Sequence, residues 1–178
     1  TVYCNELGFF TTYKSDRYGF NNNDNLWNEK KIDYVLVGDS FVHGACVHNQ
    51  DNISNQIMKI SKKKSLNLGM AGNSLLINLA TIKEYVKKDK VKNVLLFFTE
   101  DNDLEGLKYE VKNKILKKYL IEKNFHQDLR KKQEQLDDIL MTTYKNELKK
   151  EKKAEKENKK IHIYEILKLY KFRSLTID

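Results

Sequence analysis

The sequence predicts an α/β domain of three layers, helix, parallel sheet and helix, incomplete at its carboxyl end and carrying a charged helical insertion. Three observations predict it. Apolar runs at residues 32–37, 65–68 and 93–98 are short enough for buried strands. Helical patterns at residues 52–63 and 74–88 separate them. Strands that alternate with helices in so short a span pair in parallel through right-handed crossovers.

Each element has a local reason. Residues 1–30 form a leader, aromatic and Asn-rich without a sustained period. A short hairpin is expected around Tyr18-Gly19, turn chemistry at residues 21–25, and Trp27 as the anchor on the domain. Residues 31–104 form the core. Its first helix places Ile53, Ile57 and Ile60 on one face, with Asp51 or Asn52 as the cap. Its second has Leu75, Leu76, Leu79, Ile82, Tyr85 and Val86 at three- and four-residue spacing.

After Leu104 the character changes. Residues 105–160 read as a charged insertion of one or two long helices. Phe125, Leu129, Leu136, Leu140, Tyr144 and Leu148 mark its narrow apolar stripe. Residues 161–178 resume an apolar pattern with Ile163, Ile166, Leu167 and Tyr170, and are expected to return as a helix to the core.

Composition narrows the function classes. A chain of 178 residues suits one domain, and with 33% charged residues the core belongs in the first hundred or so. No stretch is apolar for long enough to cross a bilayer. The net charge is +8, and residues 149–160 hold seven Lys against three Glu. Interleaving of both signs at helical spacing reads as a solvated face and argues against a nucleic-acid partner. No Gly-x-Gly-x-x-Gly and no Walker A loop occurs, which removes sequence support for nucleotide cofactors. Cys4 and Cys46 are too few for a disulfide scaffold or a zinc site, and either pair or remain thiols.

The strand ends carry the chemistry. The first apolar run ends in Gly38-Asp39-Ser40, the second leads into Gly72, and the third into Asn102-Asp103. Open α/β sheets place ligands at the carboxyl ends of their strands. A serine there supplies a nucleophile and a backbone N–H, Gly72 a second N–H, and Asn102 a side-chain N–H to an oxyanion. Asp39 reads as a turn acid that accepts backbone N–H groups, and Asp103 as an orienting acid. The turn is not the Gly-x-Ser-x-Gly elbow. Residues 101–112 start like a calcium loop, but Lys112 stands where a bidentate Glu is needed.

These blocks, in this order over residues 16–104, resemble the first three blocks of the SGNH (GDSL-like) hydrolases. The lead-in Ser15-Asp16-Arg17-Tyr18-Gly19-Phe20-Asn21-Asn22 is similar to that of family members found with bacterial surface polysaccharides. The resemblance implies a flavodoxin-like α/β/α scaffold without a cofactor. It implies ester hydrolysis or acyl transfer through a Ser40 acyl-enzyme, with Gly72 and Asn102 at the oxyanion. An acylated carbohydrate or small-molecule ester is the implied substrate, in the cell envelope or cytoplasm of a bacterium. The family's last block, an Asp three residues before a His, does not occur here. His43, His48, His126 and His162 all lack that Asp. His43 and His48 read as loop histidines. Two readings follow: the amino-terminal part of a longer enzyme, with little activity alone, or a noncatalytic binding or scaffold protein that uses the helical arm.

Overall fold

The structure, a computed structural model, describes the backbone of residues 11–173 and the side chains of residues 11–157. It is a mixed α/β architecture with a small parallel sheet. Strands β1 (Ile32–Val37), β2 (Ser65–Asn67) and β3 (Val91–Leu96) run in the order β2-β1-β3. The register pairs Val35 with Leu66 on one side and with Val94 on the other. The central strand is the most apolar because neighbours flank both of its edges. Val35, Leu36 and Val37 are fully buried.

Helices α1 (Ser40–His43), α2 (Ile53–Ser61) and α3 (Leu75–Tyr85) fill the connections between the strands. Asn52 caps α2 by accepting the N–H of Asn55 at 2.8 Å. Ile60 does not share the buried side of that helix and is exposed. The third strand starts two residues earlier than its apolar run suggests. Its ladder begins beside Ile32, where Val91 packs against the core.

Phe20, Ile32, Val35, Val37, Leu66 and Leu68 form the core, with Tyr18, Trp27, Ile82 and Tyr85 packed against it. Trp27 anchors the leader here. It meets Tyr18 edge-on at 4.7 Å, and Phe20 meets Tyr85 at 5.0 Å. The Arg130 guanidinium lies over the Tyr18 and Trp27 rings at 5.2 and 5.3 Å.

The charged stretch divides. Helices α4 (Glu100–Glu110) and α5 (Lys114–Ile121) pack on α3 within the first compact unit, which runs to Lys131. The buried Glu84 carboxylate accepts the Tyr119 hydroxyl at 2.5 Å and the N–H groups of Gln127 and Leu129 at 2.6 and 2.9 Å. Burial works against its charge, but these donors outweigh it and hold the carboxyl below its usual range. Burial and Glu84 push the Tyr119 phenol up to about 12. The second unit, from Lys132, is dominated by α6 (Gln133–Arg173). Residues 149–157 of α6 are exposed throughout. The backbone of residues 161–173 continues α6, while its side chains and residues 174–178 lie outside the described residues.

Candidate active site

Ser40 opens the single-turn helix α1 immediately after β1. Asp39 caps it: its buried carboxylate accepts the N–H of Phe41 at 3.0 Å through Oδ1. The other oxygen, Oδ2, accepts Nδ2 of Asn102 at 2.9 Å. The strand-end acid therefore links two of the segments that the motifs single out. Ser40 is half-buried, and its Oγ makes no hydrogen bond with a described residue.

The Gly72 segment is held beside α1 by close backbone approach. Leu68 N–H donates to the Leu36 carbonyl at 2.8 Å, and Met70 N–H to the Gly38 carbonyl at 3.2 Å. A Cβ on Gly69 would lie 2.6 Å from the His43 nitrogen, so only glycine fits between the loop and α1. Gly72 has φ +83°, and a Cβ there would meet nothing within 4 Å. Its glycine character answers a backbone conformation, and the space beside it is open.

Asn102 and Asp103 lie in the first turn of α4 rather than at a strand end. Asp103 closes the start of α4: its Oδ2 accepts Thr99 N–H at 2.7 Å while its own N–H donates to the Thr99 carbonyl at 2.8 Å. Its carbonyl accepts the Ser74 hydroxyl at 2.5 Å. At the other end of α4, Glu110 receives the N–H groups of Ser74 and Leu76, each at 2.8 Å. A carboxylate on those free donors satisfies them and complements the helix dipole. So α4, which carries Asn102, is tied to the start of α3, which directly follows Gly72.

His43 is a buried histidine inside α1, which corrects the loop reading. Its Nδ1 accepts the Ala71 N–H at 3.4 Å, and Nε2 lies 2.8 Å from the Tyr13 hydroxyl. With Nδ1 accepting, the neutral ring carries its proton on Nε2. Burial lowers its pKa and favours that neutral form. These contacts hold His43 against Tyr13 of the leader and Ala71 of the Gly72 segment. His48 precedes a short 3₁₀ turn, residues 49–51, and the side chain of His162 lies outside the described residues.

A polar network beneath the site was not anticipated. Asn67 in β2 donates from Nδ2 to the Val42 carbonyl at 2.6 Å and accepts Gly69 N–H at 2.9 Å. Asn22 accepts Asn67 N–H at 2.7 Å and donates to Asp16 Oδ2 at 2.9 Å. That oxygen also accepts the Trp27 indole N–H at 2.7 Å. The legible signal was an Asn between Leu66 and Leu68, since a polar residue within a buried strand needs partners. Cys46 is disulfide-bonded. Cys4, the other cysteine of the sequence, lies outside the described residues.

Among the described residues, no group of His, Cys, Asp or Glu gathers to hold a metal ion, and no helix is long and apolar enough to cross a membrane. No family model, curated protein or solved structure matches the chain.

Proposed function

We propose that this chain carries an acyl-transfer site of the SGNH (GDSL-like) type, on that family's three-layer α/β/α scaffold. The activity is that of a serine esterase, deacylase or O-acyltransferase. The observation that carries the reading is the Asn102–Asp39 hydrogen bond at 2.9 Å. It brings an amide donor to the residue that precedes Ser40, while close packing of Gly69 on α1 brings the Gly72 segment to the same helix.

In this reading Ser40 Oγ attacks an ester carbonyl, and its proton passes to a base. The N–H groups of Ser40 and Gly72 and the second N–H of Asn102 Nδ2 receive the oxyanion. Collapse of the tetrahedral intermediate breaks the ester C–O bond, the base passes its proton to the departing alcohol, and an acyl-Ser40 remains. Water or an acceptor hydroxyl then removes the acyl group, giving hydrolysis or transfer. An acylated carbohydrate is the proposed substrate. Serine is a weak nucleophile without a base. The second reading is a noncatalytic binding or scaffold protein that uses the helical arm, and the exposure of α6 throughout residues 149–157 favours it.

One experiment separates the two. The protein is incubated with an activated acetyl ester, with and without added imidazole as an external base, and acylation is mapped by mass spectrometry. The enzyme reading expects imidazole-dependent acylation at Ser40 that is lost in Ser40→Ala. Labelling that is absent with imidazole, or indifferent to Ser40→Ala, supports the noncatalytic reading.

A further inference from the structure

A parallel sheet starts all of its strands at one end, and here each of the three starts carries lysines. Lys30 and Lys31 precede β1, and Lys62, Lys63 and Lys64 precede β2. Lys87, Lys88 and Lys90 lead into β3, which holds Lys92 near its start. Parallel pairing thus gathers nine lysines at one end of the sheet, among them the acids Glu29, Asp33 and Asp89. Contacts tie the runs together. Lys64 pairs with Glu29, Lys92 with Asp33 at 2.7 Å, and Lys31 Nζ donates to the Asp89 carbonyl at 2.6 Å. Lys30, Lys31, Lys64 and Lys92 line one shallow depression. Lys30, Lys62, Lys63, Lys87 and Lys88 are exposed, and their ammonium groups make no hydrogen bond or ion pair with a described residue. Cations complement the carboxyl ends of α2 and α3, which lie here too. That accounts for lysines beside those helices, but not for Lys30 and Lys31 before β1 or Lys92 inside β3.

We propose that this end of the sheet docks on a membrane surface that carries anionic lipid. Charge complementarity selects the partner, and the type of cation selects the lipid surface over a nucleic acid. All nine cations are lysines, and residues 29–33, 62–64 and 87–92 hold no Arg and no aromatic residue. Nucleic-acid sites draw on the Arg fork for base edges and on aromatic rings for stacking. A layer of anionic headgroups needs neither. It attracts point charges that come within a Debye length of it, and clusters of four to eight basic residues are enough. Lysine is such a charge, hydrated and carried on a flexible stem. The five unengaged ammonium groups supply the attraction, while those held by Glu29 and Asp33 keep the strand starts together. The docking end and the Ser40 turn lie at opposite ends of β1, a strand of six residues and therefore about 20 Å long. A membrane at the lysine end leaves the Ser40 end facing away from it. The proposal holds whether or not Ser40 is catalytic.

The test is co-sedimentation of the full chain with vesicles of phosphatidylcholine, alone or mixed with phosphatidylglycerol. Binding is expected only to the mixed vesicles. It should disappear between about 0.1 M and about 1 M salt, as the Debye length shrinks from ~10 to ~3 Å. Lys63→Gln should weaken binding by roughly fivefold, the worth of one lysine near such a surface. Lys30→Gln, Lys62→Gln, Lys63→Gln, Lys87→Gln and Lys88→Gln combined should abolish it with an unchanged far-UV spectrum, because all five side chains are exposed. The basic stretch of α6 is the control: Lys149→Gln, Lys152→Gln and Lys156→Gln combined should retain most of the binding. Equal binding to both kinds of vesicle, no binding to either, or binding lost in the α6 variant and kept in the five-lysine variant overturns the proposal. Tighter binding to duplex DNA than to the mixed vesicles at the same salt, through the same five lysines, also overturns it and assigns this end to a nucleic acid.

Discussion

Asp39 and Asn102 are 63 residues apart in the chain, yet the Asn102 amide donates to the Asp39 carboxylate at 2.9 Å. One N–H of the amide is spent on this bond, and that orients the other. The same carboxylate fixes the first turn of α1 through Phe41. A single buried acid thereby sets the direction of the amide donor and the start of the helix that Ser40 opens.

On the proposed mechanism, Asn102→Ala removes one oxyanion donor. Loss of such a donor costs ~3 kcal/mol in the transition state, so imidazole-dependent acylation of Ser40 should slow by roughly 10²–10³-fold. The change also leaves Oδ2 of the buried Asp39 without its donor, so the fold should lose about 1–3 kcal/mol as well, and rates are compared well below the melt. A variant that acylates at the wild-type rate would remove Asn102 from the site.

His43 makes stability depend on pH in a definite direction. Burial depresses its folded-state pKa below the ordinary 6.5. The unfolded chain therefore binds more protons just below that value, and stability rises with pH there. The contribution is complete above about pH 6.5 and is lost as pH falls through the unfolded value towards the folded one. Urea titrations at pH 5.5 and 7.5 should show the wild type weaker at the lower pH, with the difference reduced in His43→Gln.

Glu110 should be a stability residue with no chemical role. Glu110→Ala leaves the N–H groups of Ser74 and Leu76 without their carboxylate. The expected loss is about 1–2 kcal/mol, as for removal of a helix cap, read as a lower urea midpoint at unchanged slope.

Asn67→Leu should cost more, about 2–4 kcal/mol. The change leaves the Val42 carbonyl and the Gly69 N–H buried without their partner. A neutral outcome in equilibrium unfolding would mean that water satisfies both groups.

Hydrogen exchange should separate the sheet from the charged stretch of α6. Residues 149–157 are exposed on every side and held by side-chain pairs such as Lys150–Glu147 at 2.7 Å. Such exposed pairs contribute at most a few tenths of a kcal/mol. Protection should be low there and high at Val35 and Leu36, which are fully buried. Uniform protection along α6 would show that packing covers it.

The local periods in the sequence were enough for β1, whose apolar run of residues 32–37 is the observed strand, and for the alternation that makes the sheet parallel. They also marked Ser40, Gly72 and Asn102, because apolar runs that stop at polar or glycine residues are visible without coordinates. Asn102 nonetheless lies inside α4, since the reciprocal Thr99–Asp103 bonds start a helix where the reading continued a strand end. Only the tertiary structure decided the rest. The burial of His43 against Tyr13, the seating of Glu110 on α3 and the Asp16–Asn22–Asn67 network join groups between 6 and 45 residues apart. Sequence periodicity reports which face of an element is apolar. It carries no record of which distant polar group will satisfy a buried donor, because that depends on how the elements pack.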